Sequence, residues 1–119
     1  MRLYLAGRMR GLIDNGAYNF EYWAEVLREK GHEVFSPYEE SVKLFGPGGE
    51  YNKDRPGDAM KRGRVVFAMD LAYITTHADM VATIPGWEAN GLKPASTGTT
   101  AEVATAIAIG IPVLDVREF

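Results

Sequence analysis

Short apolar runs alternate along the chain with amphipathic stretches, and this alternation predicts its secondary structure. The run from Leu3 to Ala6 ends at Gly7, as a buried strand followed by a turn does. From Tyr18 to Lys30, apolar residues recur every three or four positions, as on the buried face of a helix. Runs of the same two kinds predict strands at residues 32–36, 79–84 and 112–116 and helices at residues 58–76 and 99–109.

Two polar segments interrupt this alternation. Residues 38–56 carry Gly46-Pro47-Gly48-Gly49 and several charges, and residues 87–98 are also polar and contain glycine. Both are predicted to be loops, and long loops in compact domains are usually functional or mobile.

Strands alternating with helices predict an α/β fold with a parallel sheet and helices on both faces. The 119 residues fit one domain, residues 1–119. Ligands of such open sheets bind beyond the carboxyl ends of the strands. We therefore expect the site where residues 7–15, 38–56 and 85–100 converge.

Composition narrows the possible chemistry. The chain has no cysteine and two histidines, so we expect no thiolate or histidine-rich metal site. A net charge of −3, from 13 basic and 16 acidic residues, gives no footprint for duplex nucleic acid. The cluster Lys61-Arg62-Gly63-Arg64 is interpreted as a solvated helix face. No apolar stretch has the length of a membrane span and no secretory signal is recognisable, so a cytoplasmic protein is expected.

The segment from Ser96 to Glu102 leads into an alanine-rich predicted helix. Free amides in a helix's first turn, together with the helix dipole, favour an anion such as a phosphate. Ser96, Gly98 and Thr99 would supply donors at this point. Glu102 has two interpretations: with Thr99 it matches a capping box, or it is a catalytic carboxylate. In both, we expect the helix N-terminus to hold Glu102 ionised.

Other candidate residues also have two interpretations each. The segment Gly7-Arg8-Met9-Arg10-Gly11 either clamps an anionic group with its arginines or is an exposed turn. Asp70 lies among apolar neighbours, where a raised pKa would suit a general acid or base, or it faces solvent. Asp79 has the features of an exposed turn residue. Trp87 either stacks on a base or packs.

Taken in order, these segments resemble the nucleoside 2-deoxyribosyltransferase family, which includes (deoxy)nucleoside 5'-monophosphate N-glycosidases and a phage and bacterial branch with residues like Gly86-Trp87-Glu88. The resemblance is carried by Tyr4-Leu5-Ala6-Gly7 with Arg10-Gly11, by Asp70-Leu71 before Ala78-Asp79, and by Ser96-x-Gly98-x-x-x-Glu102. It implies a flavodoxin-like (Rossmann-like) open parallel sheet of four to five strands. It also implies a homodimer or higher homo-oligomer that works without metal or cofactor.

The resemblance further implies a role for each matching residue. Glu102 matches the nucleophile that forms a glycosyl-enzyme, Asp70 matches the aspartate that assists the leaving base, and Tyr4 matches a tyrosine beside the nucleophile. These three are the predicted catalytic residues. The predicted substrate contacts are Gly7, Arg10, Gly11, Asp79, Trp87, Ser96, Gly98 and Thr99.

Ser96 separates the two activities within this resemblance. The transferases carry an aspartate at this position for the sugar 5'-hydroxyl, whereas the monophosphate hydrolases carry a serine, which tolerates a phosphate. We therefore expect hydrolysis of a (deoxy)nucleoside 5'-monophosphate through Glu102. The alternatives are a transferase acting on unphosphorylated nucleosides and a non-catalytic nucleotide-sensing module.

Overall fold

A computed structural model describes all 119 residues. Four parallel strands form one sheet in the order β2-β1-β3-β4. The strands are β1 (Arg2–Ala6), β2 (Glu33–Phe35), β3 (Met80–Thr83) and β4 (Val113–Asp115). The order reverses direction between β1 and β3, which creates a ligand-binding crevice in open α/β sheets. The predicted fold, an open parallel sheet of four to five strands, is confirmed with four.

Four helices cover the sheet, and two short 3-10 turns lie at Gly49–Tyr51 and Val116–Glu118. No helix combines the length and the apolar character needed to cross a bilayer. The helices are α1 (Ala17–Glu29), α2 (Pro37–Phe45), α3 (Ala59–Thr76) and α4 (Thr97–Ile109).

The side-chain alternation of β1 divides the core into two layers. Leu3 and Leu5 pack with residues of α1 such as Phe20, whereas Tyr4 and Ala6 point to the other face and pack against α3 and α4. Successive side chains of a strand project to opposite faces, so helices are required on both. Tyr4 is thereby fixed on the face that also carries α3 and α4.

The prediction of a loop across residues 38–56 is wrong for its first part, because α2 begins at Pro37. The Ser36 side chain accepts a hydrogen bond from the Glu39 amide, and Pro37 occupies the first turn. Serine at the cap, proline at the first helical position and acidic residues in the first turn are strong start signals. Within residues 38–56, only the part after Phe45 lacks regular structure, apart from its 3-10 turn.

The start of α4 also differs from the prediction. The helix begins at Thr97, not Thr99, and Ser96 is its N-cap, with the Ser96 hydroxyl accepting from the Thr99 amide at 3.4 Å. Glu102 is consequently the sixth residue of the helix. It lies beyond the first turn, so the capping-box interpretation of Thr99 and Glu102 is wrong.

Candidate active site

A cavity of about 850 Å³ opens at the carboxyl ends of the strands, within the range typical of small-molecule sites. Segments distant in sequence form its walls: the chain after β1, the 3-10 turn before α3, one face of α3, and the start of α4. Of the predicted site residues, the cavity is lined by Gly7, Arg10, Asp70, Ser96, Gly98, Thr99 and Glu102.

One face of α3 forms a continuous wall of this cavity. Gly63, Val66, Phe67 and Asp70 all line it, at the three- and four-residue spacing that places side chains on one helical face. Asp70 therefore points inward, not to solvent, and only 5% of it is exposed. Its Oδ1 atom is buried without any hydrogen-bond partner in the protein. A buried polar atom left without a partner costs free energy and calls for an explanation.

Glu102 and Tyr4 form the buried centre of the site. The Tyr4 hydroxyl donates a short hydrogen bond to Oε2 of Glu102, and Tyr4 itself is fully buried. Its ring stacks on Phe35 at 5.6 Å between centroids, which fixes the direction of the hydroxyl. Tyr4 lies behind Glu102 and does not line the cavity. Tyr4 is thus placed to position the Glu102 carboxylate, and its predicted catalytic role stays a prediction.

The two carboxyl groups at the site have pKa values shifted to different extents. Burial raises the pKa of Glu102 to about 7, against the hydrogen bond from Tyr4, which lowers it. Burial, and next the charge of Glu102, raise the pKa of Asp70 to about 8. Between these two values, the environment favours an ionised Glu102 beside a protonated Asp70. Two carboxyl groups driven apart in this way suit a nucleophile and a general acid.

The expectation that a helix N-terminus holds Glu102 ionised is wrong. That expectation placed Glu102 in the first turn, where the helix dipole acts. Because α4 begins two residues earlier, Glu102 lies past that turn and is 94% buried, with 6% exposed. Desolvation outweighs the hydrogen bond from Tyr4, and the pKa of Glu102 rises instead of falling.

The first turn of α4 faces the cavity mouth. Ser96, Gly98 and Thr99 all line the cavity, and nothing lies within 4 Å of the position that a Cβ would take at Gly98. The first amides of a helix have no partner within the helix, so this open turn presents donors to an anion. The Ser96 hydroxyl accepts from the Thr99 hydroxyl at 3.0 Å and keeps its own proton to donate.

Arg8 and Arg10 have different surroundings, although both follow β1. The Arg8 guanidinium donates to the carbonyls of Gly86, Trp87 and Pro94 and so fastens the loop before α4. Three of its five N–H donors are thus engaged by the backbone, although Arg8 also lines the cavity. Trp87 contributes its carbonyl to this fastening, and its side chain does not line the cavity, where Tyr51 and Phe67 are the aromatic residues. A base-stacking role for Trp87 is therefore not supported.

Two other predicted contacts lie outside the cavity. Asp79 is at the opposite edge of the sheet, where its carboxylate accepts from the backbone amide of Arg2 at 2.7 Å and pairs with the Arg2 guanidinium at 3.3 Å. Gly11 is exposed, with a φ of 87° that favours glycine. Asp79 and Gly11 are thus structural, and the prediction that they contact substrate is corrected.

Glu50, Tyr51 and Arg64 are among the cavity residues that the sequence patterns did not indicate. All three line the cavity. Glu50 and Tyr51 lie in the segment that was taken for an undifferentiated loop, and Arg64 lies in the cluster interpreted as a solvated face. The available signal was the helical period of α3, which places Arg64 and Gly63 within one turn of Phe67.

The sequence profile of a domain of unknown function, DUF4406, matches residues 1–115. The chain belongs to this family. Comparison of the DUF4406 sequence with curated proteins gives no significant match.

Among solved structures, this DUF4406 chain is similar to a 2-deoxyribosyltransferase from the psychrotolerant bacterium Bacillus psychrosaccharolyticus. The TM-score is 0.64 at 24% sequence identity, and the match covers 97% of this chain and 71% of that one. The two proteins therefore share a fold, as the sequence resemblance implied. Within the DUF4406 chain, no group of three or more histidine or acidic side chains has an arrangement that would hold a metal ion.

Proposed function

We propose that this protein cleaves the N-glycosidic bond of a (deoxy)nucleoside 5'-monophosphate, with residues 1–119 acting as one catalytic unit. The observation that carries the proposal is the buried pair Glu102 and Asp70 at one cavity, with pKa values of about 7 and about 8. One group is suited to attack a sugar carbon, and the other to protonate a leaving base.

In the first step, the ionised Glu102 attacks C1' of the sugar. Tyr4 holds Oε2 of Glu102, so Oε1, which accepts no protein hydrogen bond, is the attacking oxygen. The bond between C1' and the base nitrogen breaks, its electron pair stays on the base, and Asp70 donates its proton to that base. The products are a neutral base and a glycosyl ester on Glu102.

In the second step, water replaces the base. The Asp70 carboxylate formed in the first step takes a proton from water, and the hydroxide oxygen attacks C1'. The ester bond breaks, and Glu102 regains its charge. Asp70 regains its proton, so the site returns to its starting state with no external reactant besides water.

The 5'-phosphate is assigned to the open first turn of α4. Unpartnered amides near Gly98, the Ser96 hydroxyl and the exposed Arg10 and Arg64 provide donors and positive charge around the cavity mouth. An aspartate at position 96 would repel a phosphate there. The serine therefore favours a monophosphate over an unphosphorylated nucleoside.

A second candidate is transfer of the sugar to another base instead of water. The structural similarity to a 2-deoxyribosyltransferase supports it, because both reactions proceed through the same covalent intermediate on Glu102. The two differ only in which acceptor enters after the first base leaves.

The experiment that tests the proposal is incubation with a panel of nucleosides and their 5'-monophosphates, followed by chromatography for free base. We expect base release from at least one monophosphate without an added acceptor. Release only when a second base is present would favour the transferase. Binding of nucleotides with no base release under either condition would contradict an enzymatic role and favour a nucleotide-sensing module.

We further propose that the protein acts as a homodimer or a larger homo-oligomer. The outer faces of α3 and α4 expose apolar side chains, including Val65 (51% exposed), Ile107 (67%) and Ile109 (47%), and these two helices pack side by side. The family resemblance implies a homo-oligomer, and exposed apolar side chains on neighbouring helices are suited to an interface between subunits. Light scattering should give a multiple of the 13.1 kDa chain mass, and Ile107→Glu should reduce it; a monomeric wild-type protein would contradict the proposal.

A further inference from the structure

Glu50, in the 3-10 turn before α3, lines the cavity. Its backbone is held at both polar atoms: its amide donates to the fully buried Ser41 hydroxyl at 2.7 Å, and its carbonyl accepts from Arg62 at 3.1 Å. Arg62 also binds the carbonyls of Asn52 and Pro56. No protein group donates a hydrogen bond to the Glu50 carboxylate. The backbone of Glu50 is thus fixed beside the cavity, and the acceptor capacity of its carboxylate is unused.

The carboxylate of Glu50 rests against α3 where the helix has a glycine. A Cβ built on Gly63 would lie 2.9 Å from Oε2 of Glu50, closer than non-bonded atoms approach. Glycine in a helix interior costs about 1 kcal/mol relative to alanine. Its presence here makes room for the carboxylate at the cavity wall.

Glu50, which lies beside Gly63 of α3, and Asp70 of α3 mark the two ends of a slot along this helix. Gly63, which Glu50 touches, and Asp70 are seven residues apart on one face, or roughly 10 Å at 1.5 Å per residue. Val66 and Phe67 line the cavity between them and give the slot an apolar wall. A flat ring system fits such a wall, with one edge at the unpartnered Asp70 Oδ1 and the other at Glu50.

The charge of the Glu50 carboxylate determines which edge of a nucleobase it can bind. Burial raises the pKa of Glu50 above its ordinary value, and the charge of Arg10, which lines the same cavity, opposes that rise. In its ionised form the carboxylate only accepts hydrogen bonds, and it accepts two when two donors are adjacent. Among the common bases, guanine offers such a pair, N1–H and the 2-amino group. Adenine and cytosine place a ring acceptor beside their amino group, which a carboxylate repels.

We infer that Glu50 is a specificity-determining residue that selects a guanine-type base, held along α3 between Asp70 and Glu50. The inference rests on the proposed function for the position of the sugar and deepens it by naming the base class. The length of the slot favours a purine, since a purine with a hydrogen bond at each end spans two helical turns better than a pyrimidine does.

The test compares guanine and adenine nucleoside 5'-monophosphates in two readouts, dissociation constants by calorimetry and kcat/KM by base release. For wild type we expect a guanine preference of at least about tenfold in both. Glu50→Gln should lose this preference and move toward adenine, because an amide offers one acceptor and one donor. The ratio of guanine to adenine should change mainly through KM and Kd. Because the charge of Glu50 also raises the pKa values of Asp70 and Glu102, the pH profile of kcat should move to lower pH for both substrates alike.

Two further variants separate this role from a structural one. Gly63→Ala keeps every charge and favours the helix, yet its methyl group displaces the Glu50 carboxylate, so guanine preference should fall while thermal stability does not. Asp54→Asn makes the same charge change as Glu50→Gln in the same segment but outside the cavity, and should leave the preference unchanged.

The outcomes distinguish failure of this inference from failure of the proposed function. Base release at equal rates from guanine and adenine nucleotides, unaltered by Glu50→Gln and Gly63→Ala, would overturn the assignment of Glu50 alone. Guanine-selective binding without base release would support Glu50 and overturn the catalytic proposal.

Discussion

The two edges of the sheet hold carboxylates in opposite states. At the amino edge, Asp79 is exposed and paired with Arg2, which keeps the pKa of Asp79 below its ordinary value. At the carboxyl edge, Asp70 is buried, has an unpartnered oxygen and has its pKa raised to about 8. The first arrangement is an ordinary surface ion pair that adds little. The second destabilises the fold, and strongly perturbed groups in a cleft are characteristic of functional sites.

The largest expected difference between the edges concerns Glu102. Glu102→Gln preserves the size of the side chain and an acceptor for the Tyr4 hydroxyl but removes the nucleophilic charge. Base release should fall by at least about 10³-fold, as loss of a covalent nucleophile does. The matched change at the amino edge, Asp79→Asn, should leave kcat unaltered. Rates measured by chromatography that fall equally in both variants would abolish the functional contrast.

A smaller loss is expected at Asp70. Asp70→Asn removes the transferable proton and should lower kcat by about 10²–10⁴-fold with little change in binding, the usual range for general acid catalysis. A raised KM with unchanged kcat would reassign Asp70 to substrate binding alone.

The pH dependence of kcat/KM should reflect the ionisation of Glu102 and Asp70. Activity requires ionised Glu102, so kcat/KM should rise as pH passes about 7. It also requires protonated Asp70, so activity should fall above about 8. The profile is therefore bell-shaped between these values. A rate independent of pH from 6 to 9 would contradict this assignment of acid and nucleophile.

A substitution at Ser96, at the cavity mouth, tests the proposed phosphate site. Wild type should prefer a 5'-monophosphate over its nucleoside by at least about tenfold in kcat/KM, which corresponds to roughly 1.4 kcal/mol. Ser96→Asp should reverse the preference, because a carboxylate repels phosphate and accepts a 5'-hydroxyl. Equal values for both substrates in wild type would return the protein to the transferase alternative.

The smallest effect is on stability. The folded pKa of Asp70 is raised, so its ionisation in the unfolded chain destabilises the fold above about pH 4, and the cost grows toward pH 8. Asp70→Asn should therefore raise Tm at pH 7.5 by at least about 3 °C, and the gain should vanish near pH 4. Asp79→Asn should lower Tm at pH 7.5, since the pKa of Asp79 is depressed. Calorimetric scans in which both variants shift Tm in the same direction would contradict the opposite pKa shifts of Asp70 and Asp79.

Local patterns predicted the fold and the centre of the site but not its outer wall. The continuous apolar run of β1 and the helical spacing of apolar residues depend on burial alone, so the sheet could be predicted from the sequence. Asp70 and Glu102 were indicated by their local sequence and by the family resemblance. Ser36 and Pro37 are typical of a helix start and predict α2, but the glycines at positions 46, 48 and 49 indicate a loop for the same segment.

Other features depend on contacts between distant segments. Glu50 lies at the cavity because Ser41 and Arg62 hold its backbone, and three of the Arg8 donors are engaged by carbonyls of the loop before α4. The raised pKa of Glu102 likewise follows from its depth in the fold and not from its neighbours in the sequence. Such tertiary effects are invisible to a pattern read along the chain.

The covalent intermediate is the most direct test of the central claim. The protein is incubated with a 2'-deoxynucleoside 5'-monophosphate that it cleaves, quenched in acid during turnover, digested and analysed by mass spectrometry. The account predicts that the peptide containing Glu102 gains the mass of one deoxyribosyl phosphate and that Glu102→Gln shows no such gain. An adduct on another residue, or steady base release with no adduct on any peptide, would contradict it.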